Sequence, residues 1–253
     1  MFNPTHALLI IQRRGSYLQP VLTEYLTRVV CEQQTGCQTC PSCLEILHGT
    51  YNNFYSFDQA NPFKREHALH LSEVLNRQSE SNQKQLYLIK NLETLTATAM
   101  NSLLRLIEEH PVNTYGVFTT KNENMILPTI LSRVQKVVLK KATQLPFQVD
   151  SKDQAILKSF FSVDEQLQAL DNGSFTRLKT IITTLTNKKN TASTVHEAWV
   201  LFKQLNQTET AQVLNFMVDY TKDLTKKDRL LNMVQNLVFN PPKAALFANL
   251  INW

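Results

Sequence analysis

Between His6 and Leu139, short apolar runs alternate with stretches of helical periodicity, and this alternation constrains the fold more than any other feature of the chain. The runs are His6-Ala7-Leu8-Leu9-Ile10-Ile11, Asn53-Phe54-Tyr55-Ser56-Phe57, Leu86-Tyr87-Leu88-Ile89, Tyr115-Gly116-Val117-Phe118-Thr119-Thr120 and Lys136 to Leu139. Consecutive apolar positions bury both faces of a strand, which is the habit of parallel sheets covered by helices. Between the runs, Val21, Leu22, Tyr25, Leu26 and Val29 recur at helical spacing behind Pro20, which suits the first turn of a helix. Glu66 to Asn76 reads as an amphipathic helix, and Thr98 to Glu109 as another, stopped at His110 by Pro111. A short helix centred on Ser132 precedes the last strand. The pattern predicts an α/β fold, a doubly wound parallel sheet with helices on both faces.

From about Ala142 the strand-like runs end and helical periodicity continues to Trp253, interrupted at Asp171-Asn172-Gly173-Ser174, at Asn187-Lys188-Lys189-Asn190 and at Asn240-Pro241-Pro242. The expected domains are therefore an α/β domain over 1–141, a small helical domain over 142–188 and a helical bundle over 190–253.

A net charge of +5 permits an acidic partner, but the basic residues form pairs (Lys140-Lys141, Lys188-Lys189, Lys226-Lys227) rather than tracts, as on a solvated surface. No stretch approaches the roughly 18 apolar residues of a membrane span. The start, Met1 to His6, lacks the basic and apolar regions of a secretory signal, so a cytoplasmic location is expected.

All four cysteines lie together, Cys31, Cys37, Cys40 and Cys43, in the pattern C-x5-C-x2-C-x2-C. The two C-x2-C steps let thiolates reach one ion, and tetrahedral zinc takes four. A reducing cytosol disfavours disulfides. Gly36 and Pro41 are read as the turns that gather the sulfurs. The expected cofactor is structural zinc, because four thiolates leave no open position for a catalytic water. His48 is an alternative fourth ligand but is read as a bystander.

A loop between the first strand and helix is where G-x-x-x-x-G-K-[ST] would bind phosphate. Placed after Ile11, the pattern meets Gln12, Tyr17, Leu18 and Gln19 in place of glycine, glycine, lysine and hydroxyl; only Gly15 survives, at a variable position. No cation then meets the terminal phosphates, and no hydroxyl meets magnesium. The strand Leu86–Ile89 ends in Lys90-Asn91, where a P-loop ATPase carries Asp-Glu; Glu93 lies beyond the expected position. ATP binding and hydrolysis by this chain are not expected.

The run Ala99-Met100-Asn101-Ser102-Leu103-Leu104-Arg105-Leu106-Ile107-Glu108-Glu109-His110-Pro111, together with the first strand and the cysteines, is similar to bacterial clamp-loader subunits of the AAA+ type. Leu127-Pro128-Thr129-Ile130-Leu131-Ser132-Arg133-Val134-Gln135 resembles that family's Ser-Arg-Cys segment, with valine for cysteine. Gly173-Ser174-Phe175-Thr176-Arg177 resembles its sensor-2 segment, and Asn240 to Leu250 its closing collar helix. Within the family, tau/gamma subunits keep the P-loop and delta-prime subunits commonly have a degraded one, so the resemblance is to the delta-prime type of the DNA polymerase III clamp loader.

The resemblance implies that 142–188 is a lid and 190–253 an oligomerising collar. It implies that Arg133, supported by Ser132, is an arginine finger supplied in trans to ATP on a neighbouring subunit, where a guanidinium fork meets developing phosphoryl charge. The plainer reading of Arg133 is a helix-start arginine paired with a local carboxylate. Thr119 and Thr120 fall in the sensor-1 region, where structural hydrogen bonding is expected, and Arg177 is expected to keep an interdomain contact. Glu108 and Glu109 are expected to be solvated or ion-paired. Implied partners are gamma/tau-type and delta-type subunits, with the sliding clamp and primed DNA met through the complex, and no membrane. Two rival readings are an ATP-binding gamma/tau-type subunit and a zinc-bearing nucleic-acid-binding protein outside any ring; no basic stripe interleaved with aromatics supports the latter.

Overall fold

The computed structural model describes residues 4–58, 60–78, 83–160, 162–187 and 189–251. It divides into two compact units, Met1–Lys141 and Ala142–Trp253.

The first unit contains, in chain order, β1 (Ala7–Ile11), α1 (Leu18–Val30), α2 (Pro41–His48), β2 (Phe54–Phe57), α3 (Arg65–Gln78), β3 (Gln85–Ile89), α4 (Ala97–Glu108), β4 (Thr114–Thr120), α5 (Pro128–Leu131) and β5 (Gln135–Val138). The five strands form one sheet in the order β2-β3-β4-β1-β5, and every pairing is parallel. β1 is central, matched from Ala7 opposite Gly116 to Ile11 opposite Thr120 on one side, and from Leu8 opposite Gln135 on the other.

Side chains alternate across a strand, and here the alternation sorts residues into two cores. Ala7, Leu9, Ile11, Tyr87, Ile89 and Phe118 pack with α3, α4 and α5 on one face. Leu8, Ile10, Leu86, Leu88 and Val117 pack with α1 and the cysteine segment on the other. Fully burying one such leucine or isoleucine stabilises by about 1.5–3 kcal/mol, so the continuous runs of β1 and β3 hold both helical layers.

Local chemistry sets the helix ends. Pro20 stands in the first turn of α1, which begins at Leu18. Thr96 Oγ1 accepts the Ala99 N–H at 3.2 Å and caps α4, which ends three residues before Pro111. Two expectations shift. Ser132 is the C-cap of α5 rather than its centre. Pro41 opens helix α2 instead of making a turn, with Gly49 ending that helix in the left-handed conformation.

The second unit is all helical: α6 (Ser151–Leu157), α7 (Val163–Asp171), α8 (Ser174–Thr186), α9 (Ala192–Gln204), α10 (Gln207–Tyr220), α11 (Leu224–Asn236) and α12 (Lys243–Ile251). Ser162, Thr191, Asn206 and Asp223 cap α7, α9, α10 and α11 through their side chains. One apolar core runs through the unit from Ile156 to Leu250, with Leu178, Ile181, Phe202, Leu214 and Phe247 inside it. The break near 188–190 therefore does not separate two cores, and lid and collar remain expectations for these helices. Lys188 itself lies outside the described residues.

Candidate functional site

The four cysteine sulfurs are brought together by the end of α1 and the start of α2. Cys31 is the C-cap of α1, Cys40 the N-cap of α2, and Cys43 lies one turn into α2. Gln34, Gly36 and Gln38 take positive φ in the intervening loop, and Gly36 packs against the backbone of Arg28 in α1. All four sulfurs lie within 4.8 Å of one another, and Cys31 Sγ is 3.6 Å from Cys37 Sγ. Tetrahedral zinc with Zn–S of about 2.3 Å spaces its sulfurs by about 3.8 Å, so the set fits such an ion.

The electrostatics fit as well. The Cys37 N–H points at Cys31 Sγ (3.5 Å) and the Cys40 N–H at Cys37 Sγ (3.4 Å). The Cys37 amide, above all, holds the Cys31 thiol down at about 5, and the Thr39 hydroxyl lowers that of Cys37. Burial pushes the Cys43 thiol up to about 12. A cation is what brings such a buried fourth sulfur to the thiolate form a metal centre needs. His48, the last residue of α2, is not one of the clustered ligands.

The loop following β1 is tied down by the protein itself. The Gln12 N–H donates to Thr120 O (2.8 Å), and Ser16 makes a lone bridge to Lys141. Gly15 has φ +78°, and the aliphatic stem of Lys141 lies against it. Glu123 joins Arg13 (3.4 Å) and Lys136 (3.8 Å).

At the ends of the neighbouring strands, Thr119 Oγ1 accepts the Asn91 N–H (3.0 Å) and the Thr120 hydroxyl donates to Glu93 (2.8 Å), which also accepts the Lys121 N–H (3.3 Å). Both threonines thus make structural hydrogen bonds, and Glu93 is engaged as an acceptor rather than standing open.

Arg133 follows the C-cap of α5 and is exposed, its side chain at 40%. Its Nε donates to Glu108 Oε1 at the end of α4 (2.5 Å), and Nη1 donates to Thr129 O (2.9 Å) and Ser132 Oγ (3.2 Å). The local carboxylate of the plainer reading therefore exists, and it is Glu108. Glu109 pairs instead with Arg105 at 2.7 Å. In the second unit, Arg177 Nη2 donates to Glu209 Oε1 (2.9 Å), joining α8 to α10. The Glu108 and Glu209 partnerships were missed from the sequence; each spans more than twenty residues and leaves no periodic signal.

These features define an AAA+-type α/β protein carrying a four-cysteine module and a helical second unit. The chain belongs to the DNA polymerase III clamp-loader family: the family model described as "DNA polymerase III, delta subunit" matches residues 3–143. The chain is 30% identical over 113 residues to DNA polymerase III subunit delta' of Bacillus subtilis, covering 44% of this chain and 32% of that protein. It is 28% identical over 138 residues to a subunit gamma from Buchnera aphidicola (53% and 37%), and 26% over 137 residues to subunit delta' of Escherichia coli (51% and 40%). The matched stretch thus spans well under half the length of these relatives. In fold, the chain is similar to a gamma subunit-related protein of Thermotoga maritima, with a TM-score of 0.55 at 15% identity, covering 96% of this chain and 92% of that one.

Proposed function

We propose that this chain is a delta-prime-type subunit of a DNA polymerase III clamp loader, without ATPase chemistry of its own. In this reading it is a stator-like, cytoplasmic member of a ring of five, with gamma/tau-type and delta-type partners. The helices of 142–188 serve as a lid and those of 190–253 as a collar packed on neighbours. Arg133, supported by Ser132, reaches the ATP of an adjacent gamma-type subunit in trans, so that the complex opens a sliding clamp and closes it around primed DNA. Four thiolates, from Cys31, Cys37, Cys40 and Cys43, hold a structural zinc that staples the end of α1 to α2.

One contrast carries the reading. The loop that would cradle phosphate offers Gln12, Tyr17, Leu18 and Gln19 and is overlaid by Lys141, whereas Arg133 presents its guanidinium at the surface. An arginine in trans is worth about 10³–10⁵ in rate in phosphoryl-transfer systems. Arg133→Ala in the assembled complex is expected to slow ATP hydrolysis strongly while the chain still incorporates. Normal hydrolysis and clamp loading by that complex would remove the assignment.

The similarity to gamma and tau subunits supports a second reading, an ATP-binding subunit with an unusual loop. Tight binding of a fluorescent ATP analogue by the isolated chain would favour it over the first.

A further inference from the structure

We propose that Glu108 is a positioning residue that aims Arg133 at the neighbouring nucleotide; this rests on the reading of Arg133 as a finger in trans. A free arginine samples many rotamers, and ordering it opposes any gain from charge stabilisation. Here two of the three guanidinium nitrogens are already held. Glu108 takes Nε, and Thr129 O with Ser132 Oγ takes Nη1. Nη2 meets no partner among the described residues, so its donors remain for a phosphate oxygen.

The mount is rigid. Glu108 is the last residue of α4, one position after Ile107, which is 2% exposed. Arg133 follows α5, whose Ile130 is fully buried in the same apolar cluster as Ile107 and Leu103. Both backbones are thus fixed by one core, and the carboxylate and guanidinium meet across 25 residues of sequence. Arg105 does not compete for Glu108, because it is engaged by Glu109. A group whose supports are locked holds its reactive geometry best.

The test is ATP hydrolysis by the complex reconstituted with gamma- and delta-type subunits, after size-exclusion chromatography has checked incorporation. Glu108→Ala is expected to lower kcat on the order of ten- to a hundredfold, the cost of a misplaced group, with the KM for ATP unchanged. Glu108→Gln keeps an acceptor oxygen for Nε and is expected to restore most of the rate. The double variant Glu108→Ala/Arg133→Ala is expected to be no slower than Arg133→Ala alone, since Glu108 acts only through Arg133. A slow Arg133→Ala complex beside a normal Glu108→Ala complex overturns the positioning role and leaves the finger standing. Failure of Glu108→Ala to incorporate, or further slowing in the double variant, assigns Glu108 a separate structural role and also overturns it. A normal Arg133→Ala complex removes the finger itself.

Discussion

Tyr87 on β3 stands directly over Gly116, its register partner on β4, and its ring occupies the space a side chain on Gly116 would need. A Cβ there would collide with both Cζ and Oη of Tyr87, which is itself fully enclosed and stacked edge-on to Phe118 at 5.8 Å. Gly116→Ala is therefore expected to destabilise by about 2–3 kcal/mol, the cost of overpacking a dense core. Denaturant unfolding of the two proteins measures it, and equal midpoints would refute the packing argument.

Zinc is expected at one equivalent per chain, by elemental analysis of protein purified without added metal. Cys37→Ser and Cys40→Ser are expected to lose it. Because metal binding is linked to folding, chelation is expected to lower the thermal midpoint by many degrees. A chelated chain that melts unchanged would show that the thiols hold no structural ion.

His6 and His110 stack with ring centroids 4.4 Å apart and planes 14° from parallel. Partial desolvation, and then the nearby His110, hold the His6 pKa below its ordinary 6.5 although the residue is exposed. The unfolded chain consequently takes up this proton more readily than the folded one, so the contribution is whole above pH 6.5 and is lost as pH falls below it. Between about pH 8 and 5, the thermal midpoint of His6→Asn is expected to fall less than that of the parent. Parallel curves would remove His6 as a source of acid sensitivity.

Glu209 serves two partners at once. One carboxylate oxygen accepts from Arg177 and the other from the Asn206 N–H at the start of α10, both at 2.9 Å. Glu209→Ala removes half of a capping box together with an ion pair, and is expected to cost about 1–3 kcal/mol. Glu209→Gln is expected to recover part of that loss, as read by denaturant unfolding.

The parallel sheet was legible because strands buried on both faces carry near-continuous apolar runs, so Ala7–Ile11 in β1 and Leu86–Ile89 in β3 announce themselves. Helix α2 was not, since Pro41 suits a turn and a first helical position equally, and only Gly49 as a closing residue separates the two. The close approach of Tyr87 to Gly116 was not read from the sequence, because nothing local to the strand names Tyr87 as the neighbour. The cysteine cluster needed only short-range spacing and could be read directly. The Arg133–Glu108 pair depends on how α4 and α5 pack, which is a property of the tertiary structure.

The central place of β1 carries a consequence for synthesis. Ala7–Ile11 is synthesised well before its sheet neighbours, Gly116–Thr120 and Gln135–Val138. For more than a hundred residues of translation, the nascent polypeptide carries five consecutive apolar residues with no native strand beside them. Long-range pairing of this kind folds slowly and exposes sticky surface meanwhile, so production of the protein is expected to lean on chaperones that bind emerging chains.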